Sequence, residues 1–538
     1  MEPHGDHQLR VGGASAGFPR LRPDARRHET FDQAGHLDAP ATARPRLDPR
    51  LTGMSGRHPA ADDLSVDDEQ PRRHGWRHLL HDHWLIGIAV LAATVVRVLT
   101  MLAYPPAFWF PDSLPYVQAA AQLTPYSMRP IGYSFLLLAL APGHSIQLVI
   151  AVQHLMGVIV GVQTYALLRR HRMPSWASTL AAIPALFSVY AIQVEHFVLS
   201  DALFTLLVTS AMCLVLWRPR PRLWVCFVTG LLLAWATVDR SQGMLLILPF
   251  LFYLAIGRLG MSRFLLSAAT MSVAFLVPIL AYCAWFDATY GTFEFTTSNG
   301  AFLYSRVAVF VDCSRVKPPT NERWLCVSTP VSKRPPESWY VWATQSPLNH
   351  GPGWAFGTNV NHLATNFSER AITAQPLSYL RVVWDSTIET FVPLRDTNKS
   401  YQYYVFPKAA PEQLRPLAAH NGEDPAYGYA YNGGVNPSTR VVQPYARWMQ
   451  AYERNVAMPG PLLGVIVFVG LLGGVLAWRR CGPTVAAWTT GAILIVTPAA
   501  TADYDVRYVV AAIPAFCIAA ALGVREVDYR VRFRNRDR

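Results

Sequence analysis

Three kinds of residue in this chain are suited to moving a proton or holding an anion. The first is a carboxylate among aromatics: Asp112 in Phe-Pro-Asp-Ser-Leu-Pro-Tyr, just after the first long apolar run. A half-buried carboxylate keeps a usable pKa and can take a proton from a hydroxyl. Trp109 and Tyr116 flank it and would offer stacking faces to a ligand ring. The second kind is arginine at the ends of apolar runs: Arg129 before Pro130, Arg240 after Asp239, and Arg507 after Asp503 and Asp505. Such a guanidinium either grips a phosphate with its forked donors or pairs with a neighbouring acid, and for Arg240 and Arg507 both remain open. The third kind is acids beside apolar sequence, Glu195 and Asp201 in Val-Glu-His-Phe-Val-Leu-Ser-Asp-Ala-Leu-Phe. At 100° per residue they point about 240° apart on one straight helix and need not share a target. Asp201 lies inside the apolar run and demands a partner, as does Arg97 near the middle of the first run. Glu195 lies nearer water, as a pocket acid or a solvated one.

The elements that must position these residues are membrane-length. Of 538 residues, 51% are hydrophobic and only 15% are charged, unlike a disordered chain or an ordinary soluble one. Apolar runs of about 17–25 residues span a bilayer as helices. Ten are expected, near 84–104, 146–168, 175–194, 197–217, 223–239, 244–257, 264–286, 459–478, 484–500 and 508–524, the sixth of them short of that length. The stretch Ile131 to Ala141 is too short to span and is expected at the interface. Basic clusters follow the even-numbered runs: Arg169, Arg170, His171 and Arg172; Arg218, Arg220 and Arg222; Arg258 and Arg263; Arg479 and Arg480; and the tail Arg525 to Arg538. All fall on one side if the N-terminus is inside, as the positive-inside rule requires. Asp112, Glu195, Asp201, Arg240 and Arg507 then face outward. The net charge of +12 thus reads as topology. No zinc-finger spacing, Walker loop or aromatic-basic RNA motif points to nucleic acid.

Five segments follow. Residues 1–80 are rich in Arg, His, Pro, Gly and Asp and are expected to be disordered and cytoplasmic, with Met54 opening an alternative start to Met1. Residues 81–286 hold seven spans and the first outward loop, 105–130. Residues 287–457 form an outward, Trp/Tyr-rich segment too long for a mere connector. Residues 458–524 hold three more spans, and 525–538 are a basic cytoplasmic tail. Of seven cysteines, Cys313 and Cys326 fall in the outward segment, where a disulfide is expected; Cys481 is expected to face the cytoplasm. His350, Trp354, His362, Trp384, Asp385 and His420 are candidates for acceptor contacts there, and none has metal-ligand spacing.

Several short motifs resemble the GT-C glycosyltransferases, of the ArnT/PMT-like, actinobacterial type. They are the first-loop acid Asp112, Arg-Pro-x-Gly-Tyr from Arg129 to Tyr133, Leu-Ser-Asp-Ala-Leu-Phe at the fourth run, and Arg240 with Gly243. Val-Arg-Tyr-Val-Val-Ala-Ala-Ile-Pro from Val506 to Pro514 and the run Ser368 to Phe391 complete the set. The resemblance covers about 84–524. It implies an all-α polytopic membrane protein of about ten transmembrane helices with an extracytoplasmic mixed α/β or irregular domain. It further implies a multi-pass enzyme of the cytoplasmic (plasma) membrane, with its active site outside. Its donor would be a polyprenyl-phosphate sugar and its acceptor a glycan, lipid or protein of the cell envelope. Asp112 would be the catalytic base and Arg507, Arg240 and Arg129 the donor-phosphate ligands. Trp109 and Tyr116 would line the pocket. The family often has two adjacent acids in the first loop; here Asp112 is followed by Ser113, so a second carboxylate must come from Asp201 or Glu195. Some members use a divalent metal, but no clear ligand set appears. One base without a covalent intermediate implies inversion at the sugar.

Three other classes compete, one of them a non-catalytic scaffold of cell-envelope assembly. A transporter or flippase of lipid-linked saccharides predicts symmetric halves and charges along a central path; the chain has few mid-span charges and no internal repeat. A ligase of lipid-linked polymers would lack an acid like Asp112 in its first loop.

Overall fold

A computed structural model of the chain describes residues 76–257, 259–392, 404–409, 424–476 and 482–534, with side chains from 82 to 528. The N-terminal segment including Met54, and Arg258, His420, Arg479, Arg480, Cys481, Arg536 and Arg538, lie outside the described residues.

The apolar runs become helices because lipid offers backbone groups no partner and a helix satisfies them internally. The first group is α1 (Trp76–Ala103), α2 (Ser113–Gln122), α3 (Gly132–Leu140), α4 (Ile146–Arg170) and α5 (Ser175–Phe187). It continues with α6 (Val189–His196), α7 (Asp201–Leu216), α8 (Leu223–Asp239), α9 (Ile247–Ile256) and α10 (Met261–Tyr290). Seven mostly shorter helices follow: α11 (Asn299–Ala308), α12 (Cys313–Val316), α13 (Glu337–Trp342), α14 (Thr358–Ala374), α15 (Pro376–Glu389), α16 (Ala426–Tyr431) and α17 (Tyr445–Val456). The chain closes with α18 (Gly460–Leu476), α19 (Gly482–Thr501) and α20 (Val506–Arg534).

Among the described residues, five helices are long and apolar enough to cross a membrane: Asp82–Ala103, Ile146–Arg170, Met261–Tyr290, Gly482–Thr501 and Val506–Asp528. Counting the bent pairs α5–α6 (46°) and α17–α18 (51°) as one span each gives seven. The difference from ten has local causes. The third expected run is broken at Ser188, whose hydroxyl caps α6 by accepting from the amide of Ala191 at 3.4 Å. The fourth begins as a helix only at Asp201, because Phe197 is extended. The sixth opens as a 3-10 turn, Ser241–Leu246. Helices α7, α8 and α9 are 16, 17 and 10 residues long, short of the roughly 20 a perpendicular crossing needs. The stretch 131–141 is indeed a short helix, α3.

The membrane assignment also stands on which surfaces are bare. On α1, Ile88, Leu91, Val95 and Val98 point outward, as do Leu265 and Val277 on α10. Rows of exposed apolar residues on 22- and 30-residue helices suit hydrocarbon, not water. The chain is a multi-pass membrane protein.

One hydrophobic core runs from the end of α1 through α20, with α8 packed on α10, and α18 and α19 on α20. A second core gathers Ala301, Tyr304, Tyr340, Phe356, Phe367 and their neighbours from α11 to α14. The segment 287–457 has helices and 3-10 turns and no strand among its described residues, so the mixed α/β expectation gives way to a helical and irregular one. Cys313 and Cys326 are joined by a disulfide.

Candidate active site

Asp112 occupies the N-cap position of α2 but makes no side-chain capping bond. Ser113 turns the chain instead: its hydroxyl accepts from the Phe110 amide at 2.9 Å and its own amide donates to the Phe110 carbonyl at 2.8 Å. The carboxylate is thereby left for other partners. One oxygen lies 3.2 Å from Arg129 Nη2, and the other accepts from Arg507 Nη1 at 3.3 Å and Nη2 at 3.4 Å. Burial pushes the Asp112 pKa up, but Arg129, Arg507 and the more distant Arg240 outweigh it. The net result lies below the usual carboxylate value.

Each partner is delivered by a local device. The first loop is anchored by a short parallel bridge: the Phe108 amide donates to the His196 carbonyl at 2.8 Å, and the Val198 amide to the Phe108 carbonyl at 3.2 Å. Arg129 is set by the close approach of Gly132 to α8. A Cβ on Gly132 would lie 2.5 Å from the Asp239 backbone nitrogen, so only glycine lets α3 begin there. Arg240 follows Asp239 directly, as the C-cap of α8. Arg507 sits in the first turn of α20, where Asp505 accepts from its amide at 3.1 Å and lies 3.5 Å from its Nε. Tyr404 donates its hydroxyl to Asp505 at 3.2 Å.

Aromatic rings tie the charges together. Arg507 lies over Phe110 at 4.9 Å and over Tyr508 at 5.4 Å. Arg240 lies over the same Tyr508 at 5.2 Å and pairs with Asp201. Arg129 lies over Phe302 at 5.0 Å. Three guanidinium groups thus meet Asp112, Asp505 and Asp201 in one buried cluster, linked at Tyr508. Oδ2 of Asp201 is buried and has no hydrogen-bond donor among the described residues. A small, mainly apolar cavity lies beside Asp201, lined by Ala202, Thr205, Val510, Ile513 and Pro514 among others.

Of the residues expected at a pocket, Asp112, Arg129, Arg240, Arg507 and Asp201 are brought together. Glu195 is not. It borders the cavity, but its oxygens are taken by Arg97 Nε and Nη2, both at 2.8 Å, and by His154 Nδ1 at 2.9 Å. That pairing answers the need of both Arg97 and Glu195 for a partner inside an apolar bundle. Trp109 offers no stacking face either: it is 1% exposed and its indole donates to the Pro437 carbonyl at 2.7 Å. Tyr116 is also buried, edge-on to Tyr133 with its hydroxyl 3.5 Å from Ser200 Oγ. Phe110, Phe204, Tyr404 and Tyr508 hold the ring positions instead. Tyr508 lies inside the Val-Arg-Tyr motif and was legible as its neighbour; nothing in sequence marks Tyr404. In segment 287–457, His362 lies 3.4 Å from Glu294, Trp384 and Asp385 stand exposed on α15, and His420 is outside the described residues. No group of three or more His, Cys, Asp or Glu side chains suited to a metal occurs among the described residues.

No family model matches this sequence, and no curated protein does. Among solved structures, the chain is similar to the S. cerevisiae protein O-mannosyltransferase Pmt1-Pmt2 complex bound to the sugar donor. Identity is 16% and the TM-score 0.32, over 47% of this chain and 37% of that one. It is also similar to the Archaeoglobus fulgidus oligosaccharyltransferase in the apo form (13%, TM-score 0.37, 84% and 51% covered). A third is the archaeal oligosaccharyltransferase AglB from the same organism with an inhibitory peptide and a dolichol-phosphate (13%, TM-score 0.39, 85% and 52% covered). The chain spans about half the length of these structures or less. By their descriptions one is a mannosyltransferase and two are oligosaccharyltransferases; at such low similarity the functional reading rests on the side chains themselves.

Proposed function

We propose that this chain is a membrane glycosyltransferase that moves a sugar from a polyprenyl-phosphate donor to a hydroxyl of a cell-envelope acceptor, with inversion. The carrying observation is Asp112 held 3.2–3.4 Å from both Arg129 and Arg507 at the lip of the helix bundle. Without donor, the cluster is self-neutralised and Asp112 is a weak base. A phosphate entering at headgroup level competes for the forked donors of Arg507 and Arg129. As they turn to it, the Asp112 carboxylate loses its positive neighbours, and burial then raises its basicity. The acceptor oxygen attacks the anomeric carbon, the bond from that carbon to the phosphate oxygen breaks, and the acceptor's proton passes to Asp112. The phosphate leaves with its charge held by the guanidinium groups. Sugar hydroxyls are the donors that would complete Asp201 Oδ2. In this reading the chain crosses the plasma membrane ten times, the bilayer thinning locally around its short helices, with the site outside and segment 287–457 contributing to acceptor choice.

The test is a screen of radiolabelled polyprenyl-phosphate sugars with purified protein in liposomes. For the donor that is used, Asp112→Asn is expected to lower turnover by about 10²–10⁴-fold, the usual worth of a general base, while donor still binds. An Asp112→Asn protein that transfers at the wild-type rate overturns the assignment.

A further inference from the structure

Helix α15 exposes a stripe of large apolar side chains that a helix in water would cover. Leu377 is 80% exposed, Leu380 59%, Trp384 64% and Ile388 38%. At 100° per residue these four fall within about 80° of one another. The opposite face is anchored to the protein: Val382 and the Tyr379 ring pack on the second core, Ser386 Oγ accepts from the buried Arg306 at 3.0 Å, and the Tyr379 hydroxyl donates to the Ala500 carbonyl at 2.9 Å. Soluble helices place the apolar stripe inside and the polar one outside.

The ends of α15 fix where this stripe lies. Tyr379, near its start, is bonded one residue short of the end of α19, a membrane-length helix. Just past its end, Phe391 and the Val392 carbonyl pack on Gly460 and Gly464, the beginning of α18. Helix α18 starts and α19 finishes on the same face of the bundle, since they are consecutive and antiparallel. A 14-residue helix of about 21 Å is therefore laid across the ends of two spans, parallel to the membrane plane. Helices α18 and α19 carry their own exposed apolar residues, Leu462, Val465, Phe468 and Val496, so the stripe continues a lipid-facing surface. Arg381 and Asp385 stand 3.9 Å apart at the edge of the stripe, where a charge can reach headgroups while a Trp and leucines enter the acyl boundary.

We propose that α15 is an in-plane membrane-surface helix whose occupant is the lipid of the outer-facing leaflet, docked on Leu377, Leu380, Trp384 and Ile388. This rests on the membrane assignment and not on the transferase reading. Its consequence is positional: through Ser386 and Tyr379 the helix fixes the depth of Arg306 and of the α19–α20 turn that carries Asp505 and leads into Arg507.

The experiment uses the full chain in phosphatidylethanolamine–phosphatidylglycerol nanodiscs, one copy per disc. Hydroxyl-radical footprinting of the unmodified chain is expected to oxidise Trp354, which is 47% exposed, and to spare Trp384. Spin labels at Leu380→Cys and Trp384→Cys, with Cys481→Ser, are expected to collide with oxygen and to lose access to a water-soluble nickel chelate. A label at Asp385→Cys is expected to keep that access. Oxidation of Trp384 at the rate of Trp354, or nickel access at 380 and 384 equal to that at 385, overturns the proposal. Shielding of 380 and 384 from both oxygen and nickel overturns it too, because protein rather than lipid would then cover the stripe.

Discussion

Asp503 shows how much a few neighbours decide at the scale of single residues. It lies in the turn before α20, outside the spans, and its pKa is pushed up to about 7 by burial and by the Glu337 carboxylate, against the pull of Arg306. Arg306 is itself fully buried and donates to Glu337 at 2.7 Å. The folded state therefore holds the Asp503 proton more tightly than an unfolded chain does. The stability this gives is complete below the ordinary value of 3.8, declines as pH rises and is gone above about 7. Thermal unfolding in detergent is expected to show a midpoint that falls across that window, and Asp503→Asn is expected to remove that part of the fall. An unchanged slope would show that the proton sits elsewhere. Asp112 has the opposite sign, lowered by Arg129 and Arg507. Sequence marked Asp112, Arg129, Arg240 and Arg507 because a charge beside apolar runs is unusual and visible. It could not rank Trp109 against Phe110, since which neighbour turns toward the charge depends on the local backbone and not on residue type.

At the scale of elements, α4 and α6 meet through the Arg97–Glu195–His154 network. Gly157 on α4 makes room for it: a Cβ there would run into the Glu195 carboxylate and lie 2.8 Å from Arg97 Nη2. Gly→Ala inside a helix normally stabilises by about 1 kcal/mol. Here breaking the buried ion pair, at about 3–5 kcal/mol, wins. Gly157→Ala is expected to lower the unfolding midpoint, as is Glu195→Gln, with little further loss in the double variant because both act on one contact. A stabilised Gly157→Ala protein would contradict this packing. The sequence announced that Arg97 needed a partner and did not announce which. The break at Ser188, which turns α6 by 46° and aims Glu195 inward, lies inside a run of span length whose Pro184 and Ser188 do not by themselves say where the helix ends.

For the whole molecule, the basic clusters make a directional claim. Alkaline phosphatase fused within 299–456 is expected to be active, and green fluorescent protein fused after Arg172 or Arg525 is expected to fluoresce; an active phosphatase after Arg172 would invert the topology. The apolar runs were readable because hydropathy is a local quantity. The join of Asp112 to Arg507, 395 residues away, was anticipated only as a wager on charge, and the arrival of Tyr404 at Asp505 was not anticipated at all. Long-range closure leaves no periodic trace in the chain. The short bridge between Phe108 and Phe197 carries one more implication. Along an extended strand successive side chains alternate sides, so Trp109 turns toward Pro437 while Phe110 turns toward Arg507. Adding or deleting a single residue just ahead of Phe108 would exchange the two, thrusting an indole at the guanidinium and stranding the phenyl ring against a carbonyl. The spacing between the first span and Asp112 is thus a frame with no tolerance for length change, even though it looks like loop.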